Sequence, residues 1–262
     1  MPDATRRTRL SGLLAATAVL GACAPELWVR KPPPRPWTYI AAPARERTPL
    51  LDATLSVTPL ADAREKTNTY RSWLMLVPLV PSATSVYGDP SALARSVGTP
   101  YTAQEPWTVS FTDVVPQAIA DEIGRARIFR TVATEAVPSG EYVLSGELLA
   151  TTVRRTGSCY GLSVFGTLVW LLGTPALWIE DELGVRLVLT RRGTEAPLWT
   201  HELRGHASAR YGAHDMTAGR VREFLFESAL ADAMPAMLAA LEEAVRGLAE
   251  PAPRSPGGTD HE

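Results

Sequence analysis

Apolar positions along the chain follow three patterns: alternation, helical spacing, and two stretches without a charge. Leu55 and Val57 alternate with Thr54, Ser56 and Thr58 ahead of Pro59, the period of a half-buried strand, so order is expected from about Leu51. Trp73 to Val80 is continuously apolar and closed by Pro81, which predicts a strand covered on both faces. Residues 82–106, with Gly88, Asp89, Pro90, Gly98 and Pro100, read as a long loop. Trp107, Val109 and Phe111 alternate into Asp113, a helix cap, after which Val115, Ile119 and Ile123 share one face of a helix over 114–126, with Pro116 in its first turn. Strands are predicted over 128–133 and 141–153. In the second, Tyr142, Leu144, Gly146, Leu148 and Ala150 share a face, and Gly146 marks a bulge or a close backbone approach. Leu183, Val185, Leu187 and Leu189 alternate with Arg186, Val188 and Thr190, Arg192-Gly193-Thr194 turns the chain, and 198–206 returns as a hairpin. A helix over about 217–249 closes the domain, striped by Val221, Phe224, Leu225, Met234, Leu238, Leu241, Val245 and Leu248, with a kink or split at Pro235. The tail from Pro251 is expected to be disordered. The pattern predicts an α/β domain over 51–249, an α+β sandwich with a mixed sheet of about five or six strands and two packed helices.

Tyr160 to Ile179 interrupts it with YGLSVFGTLVWLLGTPALWI, a stretch without one charge. By length it meets the requirement for a membrane span, but Gly161, Gly166, Gly173 and Pro175 break it, and a single crossing would put the flanking strands on opposite sides. Two other readings stand beside the span. The insert is core, packed on the sheet, or it is an exposed apolar loop that dips into a leaflet or seats a partner or lipid. On the second of these, Trp170, Leu171, Leu172 and Trp178 are the contact candidates, the tryptophans suiting an interface.

The N-terminus carries a different signal. Arg6, Arg7 and Arg9 precede an apolar run from Leu10 to Leu20, and Leu20-Gly21-Ala22-Cys23 follows. The run is shorter than the ~20 residues of a spanning helix, and the order of parts is that of an export signal. This segment resembles the lipobox of bacterial lipoproteins. The resemblance implies removal of residues 1–22, lipidation of Cys23 and attachment to a membrane. Ala24, in place of the Asp that retains enterobacterial lipoproteins at the inner membrane, implies the outer membrane, facing the periplasm. Several acyl chains at one residue anchor nearly permanently, because each buried methylene contributes ~0.8 kcal/mol.

Residues 23–50 form the expected tether. Seven prolines from Pro25 to Pro49 exclude helix and central strand, and Arg30, Lys31, Arg35, Arg45 and Arg47 are either solvated or rest on anionic headgroups. An apolar fraction of 45% and a charged fraction of 21% are those of a globular protein, and a net charge of −2 gives no footprint for nucleic acid. Cys159 has no partner within the chain if Cys23 carries lipid, which leaves a buried thiol or a bond between chains.

Catalytic patterns are weak. His201 and His206 are five apart in a predicted strand, unlike the i, i+4 pair of a zinc helix, so their rings point to opposite faces, with His214 nearby. Gly161 to Gly166 around Ser163 has one residue too many for a nucleophile elbow. Phosphate-binding glycine loops are absent, and Glu180-Asp181-Glu182 reads as a solvated flank. Neither metal nor cofactor is expected.

Around Tyr142-Val143-Leu144-Ser145-Gly146-Glu147 the predicted order of elements is similar to that of envelope lipoproteins resembling the curli-secretion lipoprotein and the N-terminal domain of the translocation protein TolB. The resemblance implies a periplasmic α/β sandwich used in assembly or trafficking, without catalysis; the insert at 160–179 departs from it. The expected role is a lipid-anchored scaffold or accessory subunit of an envelope assembly with a protein partner. The alternative is a lipid-binding auxiliary of an envelope transport system.

Overall fold

A computed structural model of the chain describes residues 39–65, 67–71, 74–75, 77–88, 110–217 and 225–249. The lipobox with Cys23, the first part of the tether, most of the 82–106 loop and the C-terminal tail lie outside them. The fold is an α+β sandwich in two layers, an eight-stranded mixed sheet with helices on one face.

Eight strands form the sheet: β1 (Leu51–Val57), β2 (Ala61–Asp62), β3 (Asn68–Tyr70), β4 (Ser82–Tyr87), β5 (Phe129–Thr134), β6 (Tyr142–Ser158), β7 (Pro175–Arg191) and β8 (Pro197–Gly212). β6 is the spine. Along one edge it carries β7 antiparallel over nearly its whole length, and β7 in turn carries β8. Its other edge is shared in tandem by β1 and β2, both parallel, and β4, antiparallel. β5 adds to β1 in parallel, and β3 adds to β4. The expected hairpin is present but much longer, β7 and β8 spanning 17 and 16 residues, with Gly193 at φ 80° in the turn.

Helix α1 (Phe111–Arg125) is the crossover between the parallel pair β1 and β5. It starts three residues before the predicted helix, at Ser110 rather than at an Asp113 cap, so Pro116 sits inside it. Proline has no N–H for the carbonyl four residues back, and the backbone N–H of Leu60 donates to that Thr112 carbonyl instead at 3.0 Å. The proline thereby ties α1 to the segment after β1.

Three further expectations are corrected. The described part of the run expected as a strand over Trp73–Val80 is not a strand: residues 74–75 form a 3-10 turn, 77–79 a turn, and Leu79 has φ 69°, a geometry into which Pro78 and Pro81 fit better than into a ladder. The segment read as the start of a loop, 82–87, is strand β4. Of the closing helix expected over 217–249, Phe226–Ala249 is one helix that carries Pro235 within it instead of splitting there, Thr217 ends a separate short helix, and 218–224, with Val221 and Phe224, lie outside the described residues. Helix α2 is Gly166–Leu171, α3 is Ala213–Thr217 and α4 is Phe226–Ala249.

The core lies between the sheet and α1 and α4. Leu55, Leu144, Leu148, Leu183, Leu187 and Leu189 from the strands meet Ile119, Ile123, Leu230, Met237 and Leu241 from the helices, all fully buried. Gly146 proves to be a close approach: a Cβ there would lie 2.2 Å from the carbonyl oxygen of Arg186. The sheet does bulge nearby, between Leu148 and Ala150. The opposite face of the sheet is polar, with Arg186 paired to Glu147 at 3.0 Å and Arg204 to Glu202 at 2.7 Å.

Candidate functional site

The apolar insert does not form one element. Residues 163–165 are a 3-10 turn, α2 follows, and from Pro175 the chain is strand β7, so 160–179 is not a membrane-spanning helix. Among the described residues no helix is long and apolar enough to cross a membrane. Ile179, Leu177 and Ala176 are core, as the packed reading expected. The part between β6 and β7 is not. Phe165, Leu168, Leu171 and Leu172 are exposed by 67%, 60%, 79% and 84%. Their spacing puts them along one side of the helical stretch, facing away from the domain.

A second loop joins this surface. The turn before β4 carries Val77 and Leu79, the latter 89% exposed, and Leu79 N–H donates to the Gly161 carbonyl at 3.0 Å while Tyr160 N–H donates to the Pro81 carbonyl at 3.1 Å. The two loops make one apolar tip at the end of the sheet where β6 finishes and β4 and β7 begin. Burying side chains of this size is worth roughly 1.5–3 kcal/mol each, so leaving them in water is a cost that a contact would remove. Val77, Leu79, Leu162, Phe165 and Leu168 carry a sequence signal, since they lie in the uncharged apolar runs 73–80 and 160–179. Composition alone does not show that the two runs meet in space.

The tip is firmly built. Trp170, proposed as a contact residue, is instead its internal pin: it is 5% exposed and its Nε1 donates to the Ser158 carbonyl at 2.7 Å. Tyr160 OH donates to the Pro175 carbonyl at 2.7 Å, Thr167 Oγ1 to the Val164 carbonyl at 2.9 Å, and Thr174 Oγ1 to the Val169 carbonyl at 2.8 Å. Trp178 is half-buried, its ring 6.5 Å from that of Tyr160. Leu171 and Leu172 are displayed as expected. Cys159 is fully buried under α2, and a Cβ on Gly166 would come within 2.3 Å of the Cys159 carbonyl oxygen. Leu79, Tyr160 and Ser163 all have positive φ, an uncommon backbone geometry for residues with side chains and one that clusters at functional sites.

No family model matches the chain. No curated protein matches it either. Among solved structures it is similar to the crystal structure of protein XCC0632 from Xanthomonas campestris, family-model DUF330, at 11% identity and a TM-score of 0.43, covering 81% of this chain and 95% of that one.

At the other end of the sheet the tether is caught. Residues 39–50 are not a free linker: Tyr39 OH and Ala42 N–H both donate to the Glu122 carboxylate on α1, at 2.7 and 2.8 Å. Burial beside this carboxylate pushes the Tyr39 phenol well above its ordinary range. Arg45 and Arg47 reach Glu242 on α4 at 2.6 and 2.7 Å, and the Arg47 guanidinium is the main cause that holds the Glu242 carboxyl below the usual carboxylate range. These two arginines are thus engaged by protein rather than free for headgroups. Between this strap, α1 and β5 lies an open groove of about 510 Å³, lined by Ala44, Gln117, Asp121, Arg127 and Thr134 among others.

One titratable group departs from the solvated flank expected at 180–182. Glu180 and Glu182 are exposed, but Asp181 between them is fully buried. It is in phase with Ile179 and Leu183, which the strand's period of two made legible. Its Oδ2 accepts the N–H of Leu225, the residue preceding α4, while Oδ1 meets no donor among the described residues. Desolvation pushes its pKa up to about 7, against the pull of the Leu225 N–H and the Arg155 charge.

The histidines lie as their spacing predicts. His201 stacks on Trp199 on the helix side, and His206 faces the other way, opposite Glu182. Among the described residues no three His, Cys, Asp or Glu side chains converge on a possible metal position. Ser163 sits in the 3-10 turn of the tip, without the strand-to-helix elbow a nucleophile needs.

Proposed function

We propose that this chain is a lipid-anchored, non-catalytic accessory protein of the bacterial envelope, held at Cys23 in the outer membrane facing the periplasm and making its functional contact through the apolar tip. The observation that carries the contact is the tip itself: large aliphatic and aromatic side chains displayed on a pinned scaffold, while the open face of the sheet is covered with ion pairs. Exposed apolar patches of this kind mark interaction sites. The anchor rests on the lipobox. Mass spectrometry of the N-terminal peptide from membranes tests it. A diacylglyceryl-modified, acylated Cys23 is expected, and an unmodified Cys23 or an uncut signal would remove the anchor from the proposal. A photoreactive residue at Leu171 tests the contact in cells, where crosslinks are expected there and not at Glu195. The lipid-carrying alternative requires the sheet–helix layer to open where Leu183, Leu187, Met237 and Leu241 now fill it.

A further inference from the structure

We propose that the apolar tip inserts into a phospholipid bilayer, and that this bilayer faces the pole of the domain opposite the tether. The inference deepens the reading of the tip as the contact surface and rests on it.

Three observations carry it. The first is the state of the polar groups. The hydroxyls of Tyr160, Thr167 and Thr174 and the indole N–H of Trp170 all turn inward to backbone carbonyls. The backbone closes on itself too, Leu162 N–H to Cys159, Phe165 N–H to Leu162, Leu172 N–H to Val169 and Gly173 N–H to Trp170. A surface that docks on protein profits from outward donors and acceptors; one that enters hydrocarbon must satisfy its own. The second is charge: residues 156–179 contain none, and neither do 72–88, so no charged group of either loop need be desolvated.

The third is position. The strap sits at the C-terminal end of α1 and the start of β1, with Arg45 N–H on the Arg125 carbonyl and Leu50 N–H on the Arg127 carbonyl. That is the end where β6 begins and β7 turns into β8, and the tip lies where β6 ends. Strands of 17 residues separate the two poles by roughly 55 Å at ~3.3 Å per residue. The sixteen links from Cys23 to Tyr39 reach at most about 58 Å at ~3.6 Å each. An upright domain with its tip in the anchor's bilayer needs the tether drawn straight along its length. Upright on its strap with the tether slack, the domain points its tip away from that bilayer, which is the arrangement proposed.

The test uses the full-length protein reconstituted into host vesicles of phosphatidylethanolamine and phosphatidylglycerol. An environment-sensitive fluorophore is placed at Leu172→Cys, or at Phe165→Cys as a second site, and at Glu195→Cys in the β7–β8 turn as the opposite-pole control. Acceptor vesicles with dibrominated acyl chains are then added. Loss and blue shift of emission at 172 and 165 but not at 195 is the expected result. The signal should vanish in a Leu168→Asp, Leu171→Asp background whose circular dichroism is unchanged. No quenching by the added vesicles overturns the proposal, whether the label stays bright or is quenched only by brominated lipid in the host vesicles. Flotation of the protein with its host vesicles reports the Cys23 anchor separately, so failure of the anchor and failure of the tip give different results.

Discussion

Asp181→Asn should change how the stability of this domain depends on pH. In the folded chain the carboxyl is buried against the start of α4 and its pKa stands at about 7, against an ordinary value of 3.8. A carboxyl raised in this way contributes stability that is fully present below the unfolded pKa and is lost as pH rises through the folded one, because above pH 3.8 the unfolded chain ionises freely while the folded chain does not. Three units of displacement correspond to about 4 kcal/mol, lost across roughly pH 4 to 7 at up to ~1.4 kcal/mol per unit. Asparagine keeps the shape and an oxygen to accept the Leu225 N–H, so it removes the ionisation while adding a pH-independent offset. The remaining carboxylates titrate alike in both proteins and cancel in the difference. Urea unfolding followed by tryptophan fluorescence, at half-unit steps from about pH 4 to 8, should show the variant gaining on the wild type by about 4 kcal/mol over the range. Two curves that stay parallel to within ~0.5 kcal/mol would refute the reasoning, since they would mean that Asp181 ionises in the folded chain as it does in the unfolded one.

Gly205→Ala places a Cβ 1.9 Å from the Ala229 carbonyl oxygen, so α4 must shift off the sheet; a loss of ~1–3 kcal/mol is expected, read as a lower Tm. Trp170→Phe keeps the packing but deletes the donor to Ser158, costing ~1 kcal/mol, whereas Trp170→Ala should also expose the Cys159 thiol to a disulfide reagent that barely touches the wild type. Glu242→Gln should loosen the strap, seen as faster tryptic cleavage after Arg45 and Arg47 while the rest of the domain stays intact. Acid should do the same to the wild type: the Glu242 carboxyl is held low chiefly by Arg47, so its contribution is present above the ordinary carboxylate range and fades as pH falls through its lowered folded pKa.

Where apolar residues alternate or recur on one face, the elements could be read directly. Leu183 to Leu189 gave β7, and Val115, Ile119 and Ile123 gave α1, because one face of each is buried and its period survives in the chain. Two uncharged runs could not be resolved that way. Trp73–Val80 lacks a period, and it was the left-handed turn at Leu79, not composition, that separated it from a buried strand. In 160–179 the same apolar letters serve two purposes, Trp170 as pin and Leu171 and Leu172 as display, and only a helical frame starting at Gly166 distinguishes them. The strap was illegible for another reason. Its partners Glu122 and Glu242 lie about 80 and 195 residues away, and charges on a proline-rich segment look solvated until the helices bring those carboxylates to them.

The strap also decides how the domain would bear a pull. Tension entering from the N-terminus meets the Arg45 and Arg47 contacts with Glu242 and the backbone bonds of Arg45 and Leu50 before it reaches the sheet. β1 then takes the load along its own axis, flanked on both sides by the parallel strands β5 and β6. Its ladder is strained in shear, all rungs together, instead of unzipping one at a time. Resistance to forced extraction is governed by the unfolding rate, so a domain hung from this strand would hold against a sustained pull by a kinetic grip.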